Sequence, residues 1–264
     1  MGLAPSIDNY LDAHKDIEHR VLVGKLAITL AIRRAERASN LWRDPRNVHN
    51  RINFATQPDN WMTELFRVLV AEQSKASFIN RLQKCSFICF NYDRVIEQFF
   101  FFAIMSYFGL DSQETAKICS ENLHVVHPYG TAGSYRYGDQ FNDFGSDESD
   151  NEIIKAAESV RTFTEGVGDE HLVEAVHQSI NSCEVLVFLG FAFHPLNIKS
   201  MRPKCLYNYS RVIGTCYGIT EENLRILKSE LSKDFFGAQE KIELQSMICA
   251  DLIRFHAAYL SGRG

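Results

Sequence analysis

The fold is decided by residues 87–93, FICFNYD, where an apolar run stops abruptly at Asn91 and Asp93. A second apolar stretch, at residues 95–105, follows at once and has the length of a helix. This order is typical of a buried parallel strand, a tight turn and a helix that packs back over the sheet. Residues 123–130, LHVVHPYG, have the same form, with His127 at the end of the run. Because open α/β sheets bind ligands at the carboxyl ends of their strands, these two strand ends predict a catalytic crevice.

The rest of the chain continues the alternation of strands and helices. Strands are predicted at residues 86–90, 123–126, 184–189 and 211–216. Helices are predicted at residues 21–41, 61–72, 94–108, 112–119, 152–162 and 170–181, and from Glu221 and Glu243 onward. Such alternation predicts an α/β fold in which helices cover a Rossmann-like parallel sheet.

Length and composition suit a single domain over residues 1–264, since 45% of the residues are hydrophobic and can fill a core. Residues 6–84 precede the first predicted strand, so this mostly helical portion is predicted to be an N-terminal insertion. Residues 130–150 hold four Gly and five Asp or Glu without periodicity, and they are predicted to form a loop.

The charge balance limits the classes of partner. A net charge of -5 argues against a general nucleic-acid-binding surface. The loose cluster of arginines from Arg33 to Arg46, with Glu36 among them, is predicted to be the solvated face of a long helix. The longest apolar runs, at residues 21–32 and 99–105, are too short to span a bilayer, so no membrane association is predicted.

The cysteines predict neither a disulfide framework nor a zinc site. There are seven, an odd number, and they include no Cys-x-x-Cys pair. Cys85, Cys89 and Cys216 lie in apolar runs, where cysteine behaves as a small hydrophobic residue. Free thiols of this kind predict a reducing, cytoplasmic setting and no bound metal.

Polar or glycine residues follow all four predicted strands. They are Asn91 with Asp93, His127 with Gly130, residues 190–197 (GFAFHPLN), and residues 214–218 (GTCYG). Each has a structural alternative, because an Asn-x-Asp turn usually forms a turn and a helix cap, and a lone strand-end histidine is usually structural. Their recurrence on four strands favours a ligand site. Glu97 is predicted to face helix neighbours or solvent, and Tyr92 and Tyr129 are predicted to pack in the core.

In order and spacing, these motifs resemble those of the sirtuins, and more closely the sirtuin-like NAD-hydrolysing domains of bacterial anti-phage defence proteins. Residues 90–93 (FNYD) resemble the Asn-x-Asp signature of that family, and residues 127–130 (HPYG) resemble its His-Gly signature. Residues 189–197 (LGFAFHPLN) resemble the strand-end glycine segment that lines the adenosine half of the cofactor. The resemblance covers most of the chain.

The resemblance implies a Rossmann-like fold that handles NAD and cleaves its nicotinamide–ribose bond through an oxocarbenium-like transition state. Asn91 is expected to hold a water or a ribose hydroxyl, and Asp93 to contact the nicotinamide carboxamide. His127 is expected to act as a general base, a role that the ordinary imidazole pKa of about 6.5 suits. The other residues implied in cofactor binding are Phe90, Tyr92, Gly130, Gly190, Phe191, Phe193, His194, Asn197 and Thr215.

Two departures from the family pattern shape the functional hypothesis. The zinc-binding cysteine pairs of protein-deacylating sirtuins are missing from the sequence, which favours NAD hydrolysis over lysine deacylation. The opening glycine loop, which cradles the pyrophosphate, is represented only by residues 2–7 (GLAPSI), so weaker NAD binding is expected. The leading hypothesis is an NAD glycohydrolase (NADase), an anti-phage effector controlled by homo-oligomerisation or an activating partner protein. The alternatives are a catalytically impaired nucleotide-binding or scaffold module and, disfavoured by net charge, a nucleic-acid-associated domain.

Overall fold

The computed structural model describes residues 4, 6–44, 47, 51–56, 59–71, 74–138, 144–146, 150–162, 165, 170–202, 211–236 and 242–262. These residues belong to two compact units. Met1–Thr56 and Gln73–Gly168 form the N-terminal unit, and Gln57–Glu72 and Asp169–Gly264 form the C-terminal unit. Each unit contains its own parallel sheet. None of the described helices is long and apolar enough to cross a membrane.

The N-terminal unit packs helices around a two-stranded parallel sheet. Its elements are α1 (Ile7–Asp12), α2 (Glu18–Ala38), a 3-10 turn (Phe54–Thr56), α4 (Lys75–Leu82), β1 (Ser86–Ile88), α5 (Val95–Phe108), α6 (Ser112–Asn122), β2 (His124–Val126) and α7 (Asp150–Ser159). Ile88 pairs with Val126, and the Cys89 N–H donates to the Val126 carbonyl at 2.9 Å. Both strands therefore end at one edge, and Asn91 and His127 follow at that edge.

The C-terminal unit contains a three-stranded parallel sheet in the order β3-β4-β5. Its elements are α3 (Trp61–Val70), α8 (Glu170–Ser182), β3 (Val185–Phe188), α9 (Pro195–Met201), β4 (Arg211–Thr215), α10 (Glu221–Leu231) with a π-helical turn (Ser232–Phe236), β5 (Ile242–Gln245), α11 (Cys249–Phe255) and α12 (Ala257–Leu260). The central strand β4 is the most buried, as its apolar side chains Val212 and Ile213 show. A strand covered on both faces accounts for the apolar run that predicted it.

All four predicted strands are present, each slightly shorter than predicted, and the α/β architecture with parallel strands is confirmed. The helix predicted from Glu243 is wrong at its start, because Ile242–Gln245 is strand β5 and α11 begins only at Cys249. The side chains of this segment alternate between buried and half-buried positions, which is the period of a strand. Four residues are too few for sequence periodicity to distinguish a strand from a helical turn, and pairing with β4 decides the outcome.

Several finer points of the prediction stay predictions. The described residues between 6 and 84 form helices and turns without a strand, but nothing shows that they are an insertion. Within the predicted loop, residues 130–138 and 144–146 contain neither helix nor strand. The single domain and the single Rossmann-like sheet are likewise untested.

The polar face of α2 differs from the prediction, because Glu36 and Arg33 are buried rather than solvated. Glu36 forms a two-pronged ion pair with Arg94, in which Nε lies 3.1 Å from Oε1 and Nη2 lies 2.5 Å from Oε2. The side chains of both partners are almost completely buried, with exposed fractions of 1% and 0%. Arg33 donates through Nε to the Ala132 carbonyl at 2.8 Å. Only Arg34 and Arg37 on this helix are exposed as predicted.

The Glu36→Gln variant tests the importance of this ion pair. The substitution keeps the shape of the side chain but leaves the Arg94 guanidinium buried without its counter-charge, so we expect a loss of about 3–5 kcal/mol in the free energy of unfolding. Urea denaturation followed by circular dichroism measures this loss. Arg34→Ala is the matched control on the same helix, with an expected effect within about 0.5 kcal/mol. Equal effects of the two substitutions would contradict the structural role of the pair.

Candidate functional site

The candidate site lies in the N-terminal unit, where the turns after β1 and β2 contact each other. The Ala132 N–H, beyond β2, donates to the Tyr92 carbonyl, beyond β1, at 2.8 Å. The Gly130 N–H donates to the His127 carbonyl at 3.0 Å, which closes the turn HPYG. These bonds hold Asn91 and His127 side by side at the carboxyl ends of the strands, where a ligand site was predicted.

The imidazole of His127 is fixed through both ring nitrogens. Nδ1 lies 3.0 Å from the Asn91 carbonyl oxygen, and Nε2 lies 3.0 Å from Oε1 of Glu97 in the first turn of α5. The side chains of His127 and Glu97 are only 9% and 10% exposed. A carbonyl and a carboxylate can only accept, so both ring nitrogens donate and the geometry selects the doubly protonated imidazolium.

The pKa of His127 agrees with this protonation state. Burial alone lowers that pKa, but the hydrogen bonds and charges of Cys89 and Glu97 outweigh burial and raise it to about 10. His127 therefore does not have the ordinary pKa of about 6.5 that would suit a general base. At neutral pH, His127 already carries the proton that a base would have to accept.

Asp93 and Tyr92 are engaged in bonds within the protein. Oδ1 of Asp93 accepts from the Val95 N–H at 3.2 Å, which caps the start of α5. The Tyr92 hydroxyl donates to the Arg161 carbonyl at 2.7 Å and also lies 3.3 Å from Oδ1 of Asp8. The structural alternative for Asn-x-Asp is thus realised for Asp93, while Asn91 itself is exposed at the edge of the sheet.

Phe90 and Gly130 help to shape the same edge. The ring of Phe90 packs edge-on against the buried Tyr129, with 5.6 Å between the ring centroids. Core packing of Tyr129 is confirmed. Gly130 has a φ of +76°, and a Cβ added there would lie 2.1 Å from the Ser159 carbonyl oxygen. Only glycine fits at this position, for a steric reason that involves no ligand.

The remaining predicted residues lie in the C-terminal unit, at the ends of β3 and β4. The Gly190 N–H donates to Oγ1 of the buried Thr215 at 2.9 Å, so the Thr215 hydroxyl joins the two strand ends. His194 accepts through Nδ1 from the Leu196 N–H at 3.3 Å and caps α9, and the Asn197 carbonyl accepts from the Ser200 hydroxyl at 2.8 Å.

Two further predicted residues of this unit, Phe191 and Phe193, pack against each other and against Phe188 at centroid distances of 5.3–5.4 Å. Phe193 adopts a φ of 52°, in the left-handed region that non-glycine residues rarely occupy. Phe193 is buried, and its contacts with the two neighbouring rings hold it in this strained conformation.

The structure therefore separates the predicted site residues into two sets. Phe90, Asn91, Tyr92, Asp93, His127 and Gly130 lie together in the N-terminal unit, and Gly190, Phe191, Phe193, His194, Asn197 and Thr215 lie in the C-terminal unit. The prediction that Glu97 faces helix neighbours or solvent is wrong, because Glu97 is buried and bonds to His127. Sequence reasoning also missed Cys89, which it treated as a small hydrophobic residue. The position of Glu97 in the first turn of α5, directly after the Asn-x-Asp turn, could have suggested a place in the site.

No group of three or more metal-ligating side chains occurs within the described ranges.

Comparisons with protein-family models, with curated proteins and with solved structures found no match. The resemblance to sirtuin-like domains therefore depends on the motifs alone and stays a hypothesis.

The protonation of His127 can be tested by NMR. We expect its ring nitrogens to stay protonated at pH 7 and to titrate near the pKa of about 10, because Cys89 and Glu97 raise that pKa. A pKa above the unfolded value of about 6.5 adds stability that is complete below that pH and is lost as the pH rises through the folded pKa. In Glu97→Gln the pKa should fall. A wild-type titration near pH 6.5 would contradict the assignment.

Gly130→Ala tests the steric requirement at the turn after β2. We expect it to destabilise the fold by at least about 1 kcal/mol more than Gly109→Ala, because both positions have positive φ but only Gly130 also meets the Ser159 carbonyl. Gly109 has open space around the added Cβ and is the matched control. Urea midpoints measure both effects, and equal losses would show that the clash is relieved.

Proposed function

We propose that this chain is an NAD glycohydrolase that cleaves the nicotinamide–ribose bond at the β1–β2 edge. The observation that supports the proposal is the fixed His127 imidazole, held by the Asn91 carbonyl and Glu97 beside the exposed Asn91. The order of the motifs is the second support.

The charges at the edge suit a reaction that develops positive charge. Breaking the bond between C1′ and nitrogen leaves its electron pair on nicotinamide and positive charge on the ribose. Carboxylates stabilise such a cation, and this edge carries Asp93 and Glu97. Water that adds to C1′ must lose a proton, and the protonated His127 cannot accept it. Glu97 is the candidate acceptor through its Oε2, which is buried and makes no hydrogen bond to any described atom.

The other expected roles follow the resemblance. Asn91 holds the attacking water or a ribose hydroxyl, and Asp93 contacts the carboxamide of nicotinamide. Phe90, Tyr92 and Gly130 border this half of the ligand. The resemblance also assigns cofactor binding to six residues of the C-terminal unit, namely Gly190, Phe191, Phe193, His194, Asn197 and Thr215.

The proposal extends to setting and control. The described cysteines all have free thiols, which supports a reducing, cytoplasmic environment. Unregulated loss of NAD is toxic to a cell, so an anti-phage effector of this kind requires a switch. We place that switch in a homo-oligomer or in an activating partner protein.

A second candidate, a nucleotide-binding or scaffold module without turnover, is favoured by a specific observation. Several polar groups assigned to catalysis or binding already bond within the protein: Asp93 caps α5, Tyr92 bonds to Arg161, and Thr215 bonds to Gly190. Groups satisfied in this way are less available to a ligand than free ones. The exposed Asn91 and the unbonded Oε2 of Glu97 favour the enzyme.

The deciding experiment measures nicotinamide release from NAD by the whole chain and its variants. We expect Asn91→Ala and His127→Ala each to lower the rate by about 100-fold or more, because they remove the positioned water and the hydrogen bond that orients Glu97. His124→Ala is the matched control, because His124 is an exposed histidine in β2, the strand that precedes His127, and this variant should release nicotinamide at the wild-type rate. Release that persists in both site variants would contradict the proposed site. If the wild-type chain releases no nicotinamide but NAD raises its Tm, the second candidate replaces the first.

A further inference from the structure

Cys89, which the sequence presents as a small hydrophobic residue, lies at the centre of the β1–β2 edge. It is only half-buried, and its thiol points to the Asn91 carbonyl oxygen with an Sγ–O distance of 3.7 Å. The His127 Nδ1 lies 3.0 Å from that same oxygen, so the thiol and the imidazole share one carbonyl acceptor, and Cys89 contributes to the raised pKa of His127. Thiol, imidazole and carboxylate thus follow one another as Cys89, His127 and Glu97.

This order has the pattern of an activated nucleophile. In such sites a thiol lies beside a histidine, and a third group orients the ring from its far side. The thiolate is the reactive form of cysteine, and a neighbouring imidazolium favours it. The Glu97 side chain is nine-tenths buried, and its Oε2 has no hydrogen-bond partner among the described atoms. Among these atoms, the cation that the carboxylate contacts is the His127 imidazolium.

Three other described cysteines lie in surroundings that favour the protonated thiol. Burial raises the pKa of the thiols of Cys85 and Cys183 to about 11 and that of Cys119 to about 12. Cys85 is the useful comparison, because it lies only four residues before Cys89 and donates its thiol to the Arg81 carbonyl at 3.4 Å. Thiols held in the protonated form are poor nucleophiles.

We propose that Cys89 is a nucleophilic thiol and a covalent modification site for peroxides and soft alkyl electrophiles, activated by His127 and Glu97. With hydrogen peroxide, the thiolate sulfur attacks one oxygen, the S–O bond forms and the O–O bond breaks. The departing hydroxide takes a proton from the His127 imidazolium and leaves as water. Sulfur is oxidised by two electrons to a sulfenic acid, peroxide is reduced, and a thiol reductant reverses the change.

Modification at this position has a direct consequence for the neighbouring groups. An added oxygen or alkyl group on Sγ lies beside the Asn91 carbonyl and the His127 ring, and it displaces one or both from their shared contact. One consequence rests on the proposed function: if the chain hydrolyses NAD, oxidation of Cys89 inhibits nicotinamide release. Cys89 then couples the site to the oxidant level of the cell.

The test is the rate of alkylation of each cysteine in the reduced full chain. Limiting iodoacetamide at pH 7 forms an S–C bond with loss of iodide, and peptide mass mapping assigns the adducts. We expect Cys89 to react about tenfold or more faster in the native chain than in the urea-unfolded chain, while Cys85 reacts more slowly in the native chain. Native Cys89 that reacts no faster than unfolded Cys89 would overturn the proposal.

Variants show whether the neighbouring groups cause the reactivity. Glu97→Gln and His127→Asn should each slow the alkylation of native Cys89 by about tenfold and leave that of Cys85 unchanged. His124→Asn, in the neighbouring strand β2, should alter neither the Cys89 rate nor the Cys85 rate. Cys85 protection in each variant shows that the fold is intact, so an unchanged Cys89 rate in both site variants contradicts activation by His127 and Glu97.

The peroxide reaction has its own readout, which separates this proposal from the proposed function. Sulfenic acid trapped by dimedone should appear at Cys89 and not in Cys89→Ser, whatever the chain does with NAD. Trapping without any nicotinamide release would contradict the proposed function and leave the thiol proposal standing. Nicotinamide release from a chain whose Cys89 does not react with peroxide would contradict the thiol proposal and leave the proposed function standing. If both proposals are correct, peroxide should inhibit nicotinamide release by Cys85→Ser as strongly as by the wild type.

Discussion

The buried ion pair between Glu36 and Arg94 is the constraint on which the candidate site depends. Glu36 accepts from the backbone N–H and the guanidinium of Arg94 and from the Gly145 N–H, while Arg94 also donates to the Ser134 carbonyl at 2.9 Å. One carboxylate thus joins α2, the start of α5 and the segment beyond β2. Burying an ion pair this deeply costs desolvation free energy, and removing either partner would leave the other charge buried and unpaired.

The position of Arg94 connects this constraint to the chemistry. Arg94 is the N-cap residue of α5, and Glu97 lies in the first turn of the same helix. Fixing Arg94 therefore also helps to fix the position of Glu97. Glu97 in turn holds the His127 ring, and the ring and the Cys89 thiol share the Asn91 carbonyl oxygen as acceptor. The route from the buried ion pair to the reactive edge passes through a single helical turn, which is rigid on the scale that a catalytic hydrogen bond requires.

The charge state of His127 changes how the edge should be understood. A histidine with an ordinary pKa exchanges protons near neutrality, whereas this one is an imidazolium across the physiological range. Such a group donates hydrogen bonds, orients a carboxylate and stabilises a neighbouring anion. In the reactions proposed above, proton acceptance then falls to Glu97, and Cys89 is the nucleophile.

The sequence by itself determined the local pattern of this protein. Short-range patterns of apolar and polar residues predict the strand ends before Asn91 and His127 and the apolar helix after Asp93, and the structure has all three. Tertiary structure alone decided which polar groups are buried and charged. Glu36 lies 58 residues from Arg94, and His127 lies 30 residues from Glu97, so no local pattern could pair them. The energy of a charge depends on its distance to other charges and to water, and both are set only when the chain has folded.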